Sequence, residues 1–313
     1  MKTYISIIIP TMNRFNSLNA TINSFFSNHI LPNQVVIVDQ SNDGKTSSLI
    51  KDLIDRDEYK SNCNFIYEHQ EYPSSTDARN SGINIATNEI LIFSDDDVEV
   101  KEDTLANIIN IMDDNSISMI SAINELEGQT KSKLGYLLGF KSFFKRKIGH
   151  VAPAIFGRFP TKIEKETKTE WAMGFFFVVR KSLVDKWGLK WDENLKSYAY
   201  AEDLDFSYSY YKKSKEEGLK CIISSDVIVK HLQSQEYRIP SRKTTFMYVL
   251  NRAYLYKKHN FGFRYWIMFN IANYSMLTIR RIKKQNPQDM KDAMKYLKKH
   301  KKEVFDGKFY YGE

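Results

Sequence analysis

Three consecutive carboxylates are the feature of this sequence best suited to chemistry. Asp95, Asp96 and Asp97 directly follow ILIF (residues 90–93), an apolar run of strand length. Since adjacent carboxylates repel one another, a strand end should not collect them without a counter-charge. Asp95 and Asp97 would point to the same side of an extended chain, and such hard oxygen ligands suit Mn²⁺ or Mg²⁺, which also bind phosphate oxygens. A solvated acidic turn before a helix stays open as the alternative.

A second acidic group, Glu202, Asp203 and Asp205, could supply a base, because a positioned carboxylate can take the proton of an attacking hydroxyl. Taken alone, Asp203 and Asp205 are better explained as the exposed face of the helix that follows them. Glu202 would then lie in a first turn that favours negative charge. By the same standard a single histidine such as His231 is more often structural than a ligand, and Arg79 could be an ordinary surface or capping residue.

The elements that must position these residues alternate between strand and helix. Apolar runs of strand length occur at 4–9, 35–38, 64–67, 90–93 and 117–122, and apolar residues at helical spacing occur at 18–26, 49–54 and 105–112. A further helix is expected at 76–86. Thr76 and Asp77 are the expected cap of the third helix. This rhythm predicts an α/β fold whose mostly parallel sheet is covered on both faces. Ligands then bind at the carboxyl ends of the strands, where Asp39 and the acidic triplet are predicted to lie.

Three familiar phosphate-binding designs can be excluded. A dinucleotide-binding GxGxxG should follow the first strand, yet the first glycine of the chain is Gly44. Gly44-Lys45-Thr46 resembles the end of a P-loop, but that loop requires glycine where Asp39 stands. The acidic triplet also resembles the DxDx[TV] motif of haloacid dehalogenase-like phosphatases, and Glu99 occupies its fifth position.

Composition and charge set further limits. The 313 residues are 42% hydrophobic and contain only two cysteines, Cys63 and Cys221, which fits a reducing cytoplasm and gives no zinc or disulfide framework. The opening apolar run is too short for a signal peptide or a membrane span, and we interpret it as a buried first strand.

The net charge of +8 is unevenly distributed, because 18 Lys+Arg and only 6 Asp+Glu lie from Glu236 to the end. We therefore expect two parts, a catalytic domain at 1–235 and a helical, basic region at 236–313. An anionic membrane is the expected partner of the second part, since no nucleic-acid motif accompanies the charge. Within it, Arg264, Asn270 and Asn273 make 262–279 a poor spanning helix. An interfacial helix and a helical pair packed on the catalytic domain both remain open.

Residues 124–170 match no pattern clearly. The stretch 131–147 mixes apolar, glycine and basic residues, and could shape an acceptor pocket, form a loop or face a membrane. Trp171, Trp187 and Trp191 could stack on sugar rings or belong to the core, and the core is the expected place of Trp187.

Several segments, in order, resemble the motifs of the family 2 glycosyltransferases, which have the GT-A fold. They are SIIIPTMNR (6–14), VVIVD with SNDG (35–39 and 41–44), ARNSGI (78–83), ILIFSDDD (90–97), GFFFVVR with WDE (174–180 and 191–193) and AEDLD (201–205). His231 follows a strand where many members carry a metal-binding histidine. The resemblance covers residues 4 to 231 and is typical of enzymes that build bacterial polysaccharides or cell-envelope glycans.

The resemblance implies roles for the matched residues. The implied donor-binding residues are Pro10, Thr11, Asn13, Arg14, Asp39, Arg79, Asp95 and Asp96, with Thr11 and Asp39 at the base and ribose; the metal ligands are Asp97 and His231; the acceptor side has Trp171, Gly174 and Glu202. Asp203 would be the catalytic general base. A base on one side of the sugar and a cation stabilising the leaving diphosphate on the other give inversion by single displacement.

The expected function is therefore metal-dependent, inverting transfer of a sugar from a nucleotide sugar, expected to be a UDP-sugar, to a glycan hydroxyl. The expected cofactor is Mn²⁺ or Mg²⁺, and the expected acceptor is a lipid-linked or cell-envelope glycan. We expect a cytoplasmic enzyme, peripheral at the inner face of the membrane. A metal-dependent nucleotidyltransferase is the alternative enzyme, but it leaves Glu202 and Asp203 unexplained. A non-catalytic sugar-nucleotide-binding scaffold is the other alternative, and intact Asp97 and Asp203 argue against it.

Overall fold

The computed structural model describes residues 4–42, 44–54, 63–126, 149–158, 163, 165–196, 200–234, 236 and 240–311. Its strands are β1 (Ile5–Thr11), β2 (Gln34–Asp39), β3 (Asn64–His69), β4 (Ile90–Ser94), β5 (Val98–Val100), β6 (Ile117–Asn124), β7 (Val151–Ala152), β8 (Phe156–Gly157), β9 (Thr167–Lys168), β10 (Phe176–Arg180) and β11 (Lys220–His231). Its helices are α1 (Phe15–Phe26), α2 (Lys45–Ile54), α3 (Ser75–Ile85), α4 (Thr104–Met112), α5 (Lys181–Trp187), α6 (Glu202–Glu216), α7 (Ser241–Lys258), α8 (Phe263–Ile282), α9 (Gln288–Lys299) and α10 (Lys301–Phe305).

Nine of the described strands form one sheet, in the order β3-β2-β1-β4-β10-β6-β11-β5, with β9 paired to β11. The pairs that β1 makes with β2 and β4, and those of β2 with β3 and β6 with β11, are parallel. β10 is antiparallel to β4 and β6, and β5 is antiparallel to β11. The fold is therefore α/β with a mostly parallel sheet, as the alternation of strand and helix predicts.

The apolar runs become fully buried strands because helices cover both faces of the sheet. Every residue of β1, β2, β4 and β6 is buried, which is the pattern expected of parallel strands covered on both sides. On one face α1 contributes Leu18, Ile22 and Phe25 at helical spacing. On the other face α3 approaches β1 so closely that a Cβ on Gly82 would lie 2.2 Å from Ile8 Cγ2.

Two local expectations need correction. The cap of α3 is Ser74, whose extended backbone lets its side chain accept the Asp77 N–H at 3.3 Å, so Thr76 and Asp77 lie inside the first turn. The strand predicted at 4–9 continues to Thr11, because pairing of Thr11 with Asp39 extends the ladder past Pro10. The stretch 131–147 and Asp43 of the predicted acidic loop lie outside the described residues.

The C-terminal helices pack on the sheet through a shared apolar cluster. Phe246, Leu250 and Phe269 from α7 and α8 lie in one buried group with Leu204 of α6 and Ile223 of β11. The prediction that the C-terminal helices pack on the catalytic domain is therefore confirmed for α7. Helix α8 buries only one of its sides. No helix in the described part of the chain has the length and apolar character needed to cross a bilayer.

Candidate active site

A cavity of about 430 Å³ opens at the carboxyl ends of β1, β4 and β11. Its walls are formed by Pro10, Arg14, Ser75, Arg79, Asp95, Asp96, Asp97, Glu202, His231 and Gln233. Residues more than 200 positions apart in the chain thus meet at the edge where open parallel sheets bind ligands. The cavity gathers most of the predicted donor and metal residues.

The acidic triplet forms a turn between β4 and β5 rather than a simple extended continuation. Asp96 turns toward β1, where it accepts a hydrogen bond from Thr11 Oγ1 at 2.7 Å and one from Arg14 Nη1 at 3.0 Å. Arg14 Nη1 also lies 3.3 Å from Asp97 Oδ2. Burial raises the pKa of Asp96 to about 7, although Arg14 opposes the shift. Arg14 is therefore one of the counter-charges that three adjacent carboxylates require.

Asp95, Asp97 and His231 converge on one point. His231 Nε2 lies 3.1 Å from Asp97 Oδ1 and 3.8 Å from Asp95 Oδ2, and one ligand atom from each residue falls within 4.8 Å of the others. Asp97 Oδ1 is buried and makes no hydrogen bond of good geometry to any described residue. Two carboxylate oxygens and an imidazole nitrogen suit a divalent cation, and the orphaned oxygen fits that use. The three side chains form a candidate site for such a cation.

Neighbouring groups fix the geometry of this candidate metal site. The His231 ring stacks on Phe175, with centroids 5.2 Å apart and planes 7° apart. The Ser234 N–H donates to Asp97 Oδ2 at 2.8 Å. Burial lowers the pKa of His231, but Asp97 and Asp95 outweigh burial and raise it. The two carboxylates thus favour positive charge at this point, a proton here and a metal ion for the same reason.

Arg79 links the two acidic groups of the sequence. Its Nη2 lies 3.0 Å from Asp95 Oδ1, its Nη1 lies 3.2 Å from Glu202 Oε1, and its guanidinium sits 4.6 Å from the centre of the Trp191 ring. Only 4% of the residue is exposed. The alternative of an ordinary surface or capping arginine is therefore wrong, and α3 delivers a fixed positive charge to the floor of the cavity.

The second acidic group begins helix α6. Asp203 Oδ2 accepts the Gly174 N–H at 3.0 Å, and Asp203 Oδ1 accepts the Leu204 N–H at 2.7 Å. Burial raises the pKa of Asp203, and burial together with Asp203 raises the pKa of Glu202 to about 8. Glu202 lines the cavity, while Asp203 is half-buried beside it. Glu202 therefore stands at the cavity wall with Asp203 next to it in the chain, and both are candidates for the proton acceptor of a cavity-bound hydroxyl.

Asp205 does not belong to an exposed helix face. It is 1% exposed, and its two oxygens lie 2.6 Å from Lys258 Nζ and 2.8 Å from His259 Nε2 at the end of α7. Lys258 Nζ also lies 2.6 Å from Asp192. The exposed-face alternative is wrong for Asp205, because a helix from the C-terminal region covers it with positive charge.

The predicted nucleoside-side residues lie at the ends of β1 and β2. Asp39 is buried, with Oδ1 accepting the Ser41 N–H at 2.8 Å and Oδ2 accepting the Tyr67 hydroxyl at 2.9 Å. Asn13 follows in the left-handed region, with φ at 56°, and its N–H donates to Ser41 Oγ at 2.7 Å. Asp39 and Asn13 are thus tied to one loop beside the cavity but do not form its walls.

Two of the three tryptophans lie in the core. Trp171, predicted on the acceptor side, is 6% exposed and packs against Gly157, where a Cβ would lie 1.9 Å from the indole ring. Trp191 is 1% exposed, stacked on Phe206. Trp187, expected in the core, lies at its edge: it is half-buried, packs against the apolar cluster that contains Tyr210, and donates its indole N–H to Glu217. Trp171 and Trp191 are core residues and present no ring face to a sugar in this arrangement.

Sequence patterns missed two wall residues, Ser75 and Gln233. Gln233 has φ at 55° and Ala201, just before Glu202, has φ at 71°, both unusual for residues with a Cβ. With Asn13, three of the six described non-glycine residues with positive φ flank the cavity. Local strain of this kind often accompanies functional sites, and no sequence signal other than the adjoining motifs marks it.

Gly174 is expected to control the position of Asp203. A Cβ on Gly174 would lie 3.0 Å from Asp203 Cβ, closer than normal packing allows. Gly174→Ala should therefore shift Asp203, the base that the family resemblance implies, and lower kcat by about tenfold or more, since small misplacements are costly in catalysis. Donor affinity should stay unchanged. Gly262→Ala is the control, because its Cβ would meet nothing within 4 Å. Steady-state kinetics of both variants test this, and equal kcat values would contradict it.

Comparison with known proteins agrees with this architecture. Residues 6–188 match the model of the family described as "Glycosyl transferase family 2". A curated relative, the poly(ribitol-phosphate) beta-N-acetylglucosaminyltransferase TarP of Staphylococcus aureus (strain N315), is 24% identical over 257 residues, which are 81% of this chain and 71% of TarP.

Solved structures show the same fold. S. aureus TarS superposes with a TM-score of 0.54 at 17% identity over 81% of this chain, a match that spans only 39% of the TarS chain. TarS 1–349 in complex with UDP-GlcNAc gives a TM-score of 0.52 at 15% identity, over 81% of this chain and 67% of that one. The mannosyltransferase PcManGT from Pyrobaculum calidifontis, in complex with GDP-Man and Mn²⁺, gives 0.54 at 17% identity, over 96% of this chain and 76% of that one.

Proposed function

Because this chain belongs to glycosyl transferase family 2, we propose that it transfers a sugar from a UDP-sugar to a hydroxyl of a cell-envelope glycan, with inversion and with the help of a divalent cation. The observation that carries the proposal is that Asp95, Asp97, His231 and Glu202 line the same cavity, with Arg79 paired to both Asp95 and Glu202. The complex of TarS with UDP-GlcNAc supports the uridine nucleotide. The name of TarP, which gives poly(ribitol-phosphate) as what that enzyme acts on, supports a polymeric acceptor.

The donor is proposed to bind across the ends of β1, β2 and β4. Thr11 and Asp39 are the proposed contacts to base and ribose, with Pro10 in the cavity wall and Asn13 hydrogen-bonded to the loop that follows Asp39. Arg14 and Arg79 carry the positive charge that a diphosphate requires. Asp95 and Asp96 complete the donor set, Asp96 by holding Arg14 in place. This assignment uses the carboxyl edge of the sheet, as other nucleotide-binding α/β folds do.

Asp97 and His231, with Asp95 beside them, would hold the cation, proposed as Mn²⁺ or Mg²⁺. When bound, such an ion supplies positive charge that stabilises the departing nucleoside diphosphate. Asp203 takes the proton of the acceptor hydroxyl as its oxygen attacks the anomeric carbon, and the bond from that carbon to the diphosphate breaks. Gly174 orients Asp203 through its N–H, and Glu202 is proposed to contact the acceptor side. One displacement inverts the anomeric configuration.

The acceptor and the place of action are proposals of the same kind. A lipid-linked or cell-envelope polysaccharide is the proposed acceptor, at the cytoplasmic face of the membrane. We retain the division into a catalytic domain at 1–235 and a helical region at 236–313, and propose that the basic region attaches the enzyme peripherally to anionic lipid. The excess of positive charge after Glu236 supports this.

Donor binding should require the divalent cation, and this tests the proposed function. Calorimetry with UDP should show at least about tenfold weaker binding with chelator than with Mn²⁺, and Asp97→Asn should lose most of the difference, because losses of metal ligands and their supports cost affinity on this scale. Glu99→Gln is the matched control, since Glu99 lies two residues on and pairs with Lys230 at the surface.

Equal UDP affinity with and without cation would overturn the metal assignment. A thermal-shift screen of nucleotide sugars with Mn²⁺ present identifies the donor. Turnover of nucleoside triphosphates instead of nucleotide sugars would favour a nucleotidyltransferase, and donor binding without transfer to any glycan would favour a non-catalytic scaffold.

A further inference from the structure

Helix α8 carries a row of exposed apolar side chains. Its members are Phe263, Ile267, Ile271, Tyr274 and Ile282, with exposed fractions of 72%, 45%, 43%, 61% and 76%. Steps of three, four and eight residues place all five on one side of the helix. At 1.5 Å per residue the row extends for roughly 28 Å. We call it the α8 row.

The opposite side of α8 is committed to the protein. Phe269, Ala272, Asn273 and Leu277 are buried, and the Asn273 side chain accepts a hydrogen bond from the buried Arg252 of α7. The helix is thus firmly docked, and its outward direction is fixed by this packing. An exposed apolar patch of this extent on a docked helix usually marks an interaction surface.

The charge around the α8 row has one sign. Residues 259–288, which include all of α8, contain five Lys and Arg and no Asp or Glu. Arg264 is exposed at the start of the row, and Arg281, Lys283 and Lys284 are exposed at its end. An apolar row with cations at both ends is the pattern of a helix that lies in the interface of an anionic bilayer.

A second feature adjoins the row. A cavity of about 320 Å³ opens between the end of α7, the start of α8 and α10, and Phe263 belongs to both its wall and the row. Lys257 and Lys301 also line it, and Lys301 Nζ lies 4.6 Å from the centre of the Trp266 ring. Two cations on an aromatic wall suit a phosphate attached to an apolar or sugar-like group.

We propose that the α8 row and this cavity form the surface by which the protein binds an anionic phospholipid bilayer, with the row inserted among the lipids and a headgroup phosphate held by Lys257 and Lys301. The inference specifies, and rests on, the peripheral attachment proposed above, and is independent of the chemistry in the catalytic cavity. A second copy of the chain fits the row less well. Pairing two such faces would bring like charges together, with no acid in residues 259–288 to neutralise them.

The test uses the full chain and vesicles of phosphatidylcholine with or without phosphatidylglycerol. The wild type should sediment with the anionic vesicles, less at high salt. Phe263→Gln, Ile267→Gln and Ile271→Gln combined should weaken this binding by about tenfold or more. Tyr72→Gln with Leu126→Gln is the matched control, because these side chains are 79% and 57% exposed and lie outside the helix. The unfolding temperature should be unchanged in both variants.

The cavity is tested separately with Lys257→Gln combined with Lys301→Gln, which should weaken anionic-vesicle binding and reduce its salt dependence. Lys51→Gln with Lys213→Gln is the charge-matched control, and calorimetry with inorganic phosphate shows whether the cavity also holds free phosphate. Equal binding by the wild type and the row variant would overturn the proposal. So would dissociation of an oligomer by the row variant with vesicle binding unchanged. Sugar transfer to a soluble acceptor should be unchanged in every row and cavity variant. If the wild type itself shows no transfer, that result contradicts the proposed function and leaves the membrane proposal to be decided by the vesicle experiments.

Discussion

Asp203→Asn is expected to lower the turnover of sugar transfer by about 10²- to 10⁴-fold, the usual cost of losing a positioned general base. The amide keeps the shape of the side chain but cannot take the acceptor's proton. Donor affinity should stay nearly intact, because the proposed donor contacts lie on Thr11, Asp39 and Arg79. Turnover numbers with dissociation constants for UDP in the presence of Mn²⁺ separate the two effects.

Two further variants sharpen this experiment. Glu202→Gln removes the cavity-facing carboxylate that Arg79 contacts, so it should perturb acceptor and donor binding as well as turnover. Asp185→Asn is the matched control, because Asp185 is exposed and pairs only with nearby Lys181 among the residues described. If Glu202→Gln loses turnover with unchanged binding while Asp203→Asn stays active, Glu202 is the base. If both stay active, the base lies elsewhere.

The pH dependence of turnover gives an independent readout of the base. Burial raises the pKa of Asp203, and a base must be deprotonated to act. Turnover should therefore rise with pH through an acidic limb that lies above the ordinary range of an aspartate, and fall as the pH drops through it. The residual activity of Asp203→Asn should lack that limb.

Asp205→Asn is expected to lower the free energy of unfolding by about 3 kcal/mol, the lower end of the cost of breaking a buried ion pair. Asp205 and His259 are each 2% exposed in their side chains, and Asp205 is one of two carboxylates at Lys258. Removing its charge leaves the Lys258 ammonium with Asp192 alone. The lower end applies because Asp192 still compensates part of that charge.

Urea unfolding with a constant slope measures this loss. Asp185→Asn serves again as the matched aspartate-to-asparagine control and should change stability by less than about 1 kcal/mol, as exposed pairs do. A loss for Asp205→Asn no larger than that of Asp185→Asn would mean that the cluster at the end of α7 contributes little to stability.

Much of the sheet follows from local sequence. The continuous apolar runs at β1, β2 and β4 would be unfavourable in water on either face, so they predict parallel strands buried on both sides. The acidic triplet after β4 predicts a ligand site at the carboxyl ends of these strands. The family motifs add Glu202 and His231 to that site, and both line the cavity beside Asp95 and Asp97.

The remaining features depend on long-range contacts that no local pattern encodes. β10 inserts antiparallel between β4 and β6, although its apolar run would suit either direction. The local sequence predicts that Asp205 is exposed on its helix. It is buried because Lys258 and His259, more than fifty positions later, pack over it. Trp171 is of a residue type that often stacks on sugars. It is buried instead because Gly157, which has no side chain, leaves room for the indole ring.

The apolar cluster that joins α7 and α8 to Leu204 and Ile223 has a consequence for recombination within the family. In a chimera that joined residues 1–235 to the C-terminal helices of another glycosyltransferase, the interface between the two parts would be poorly packed. Leu204 would lose its packing partners, and Asp205 would face whatever residues replaced Lys258 and His259. Since Asp203 lies on the same helical turn, such a graft would disturb the proposed base without altering a single residue of the catalytic cavity. Substrate range in this enzyme should therefore evolve more readily by substitutions in its loops than by exchange of its C-terminal helices.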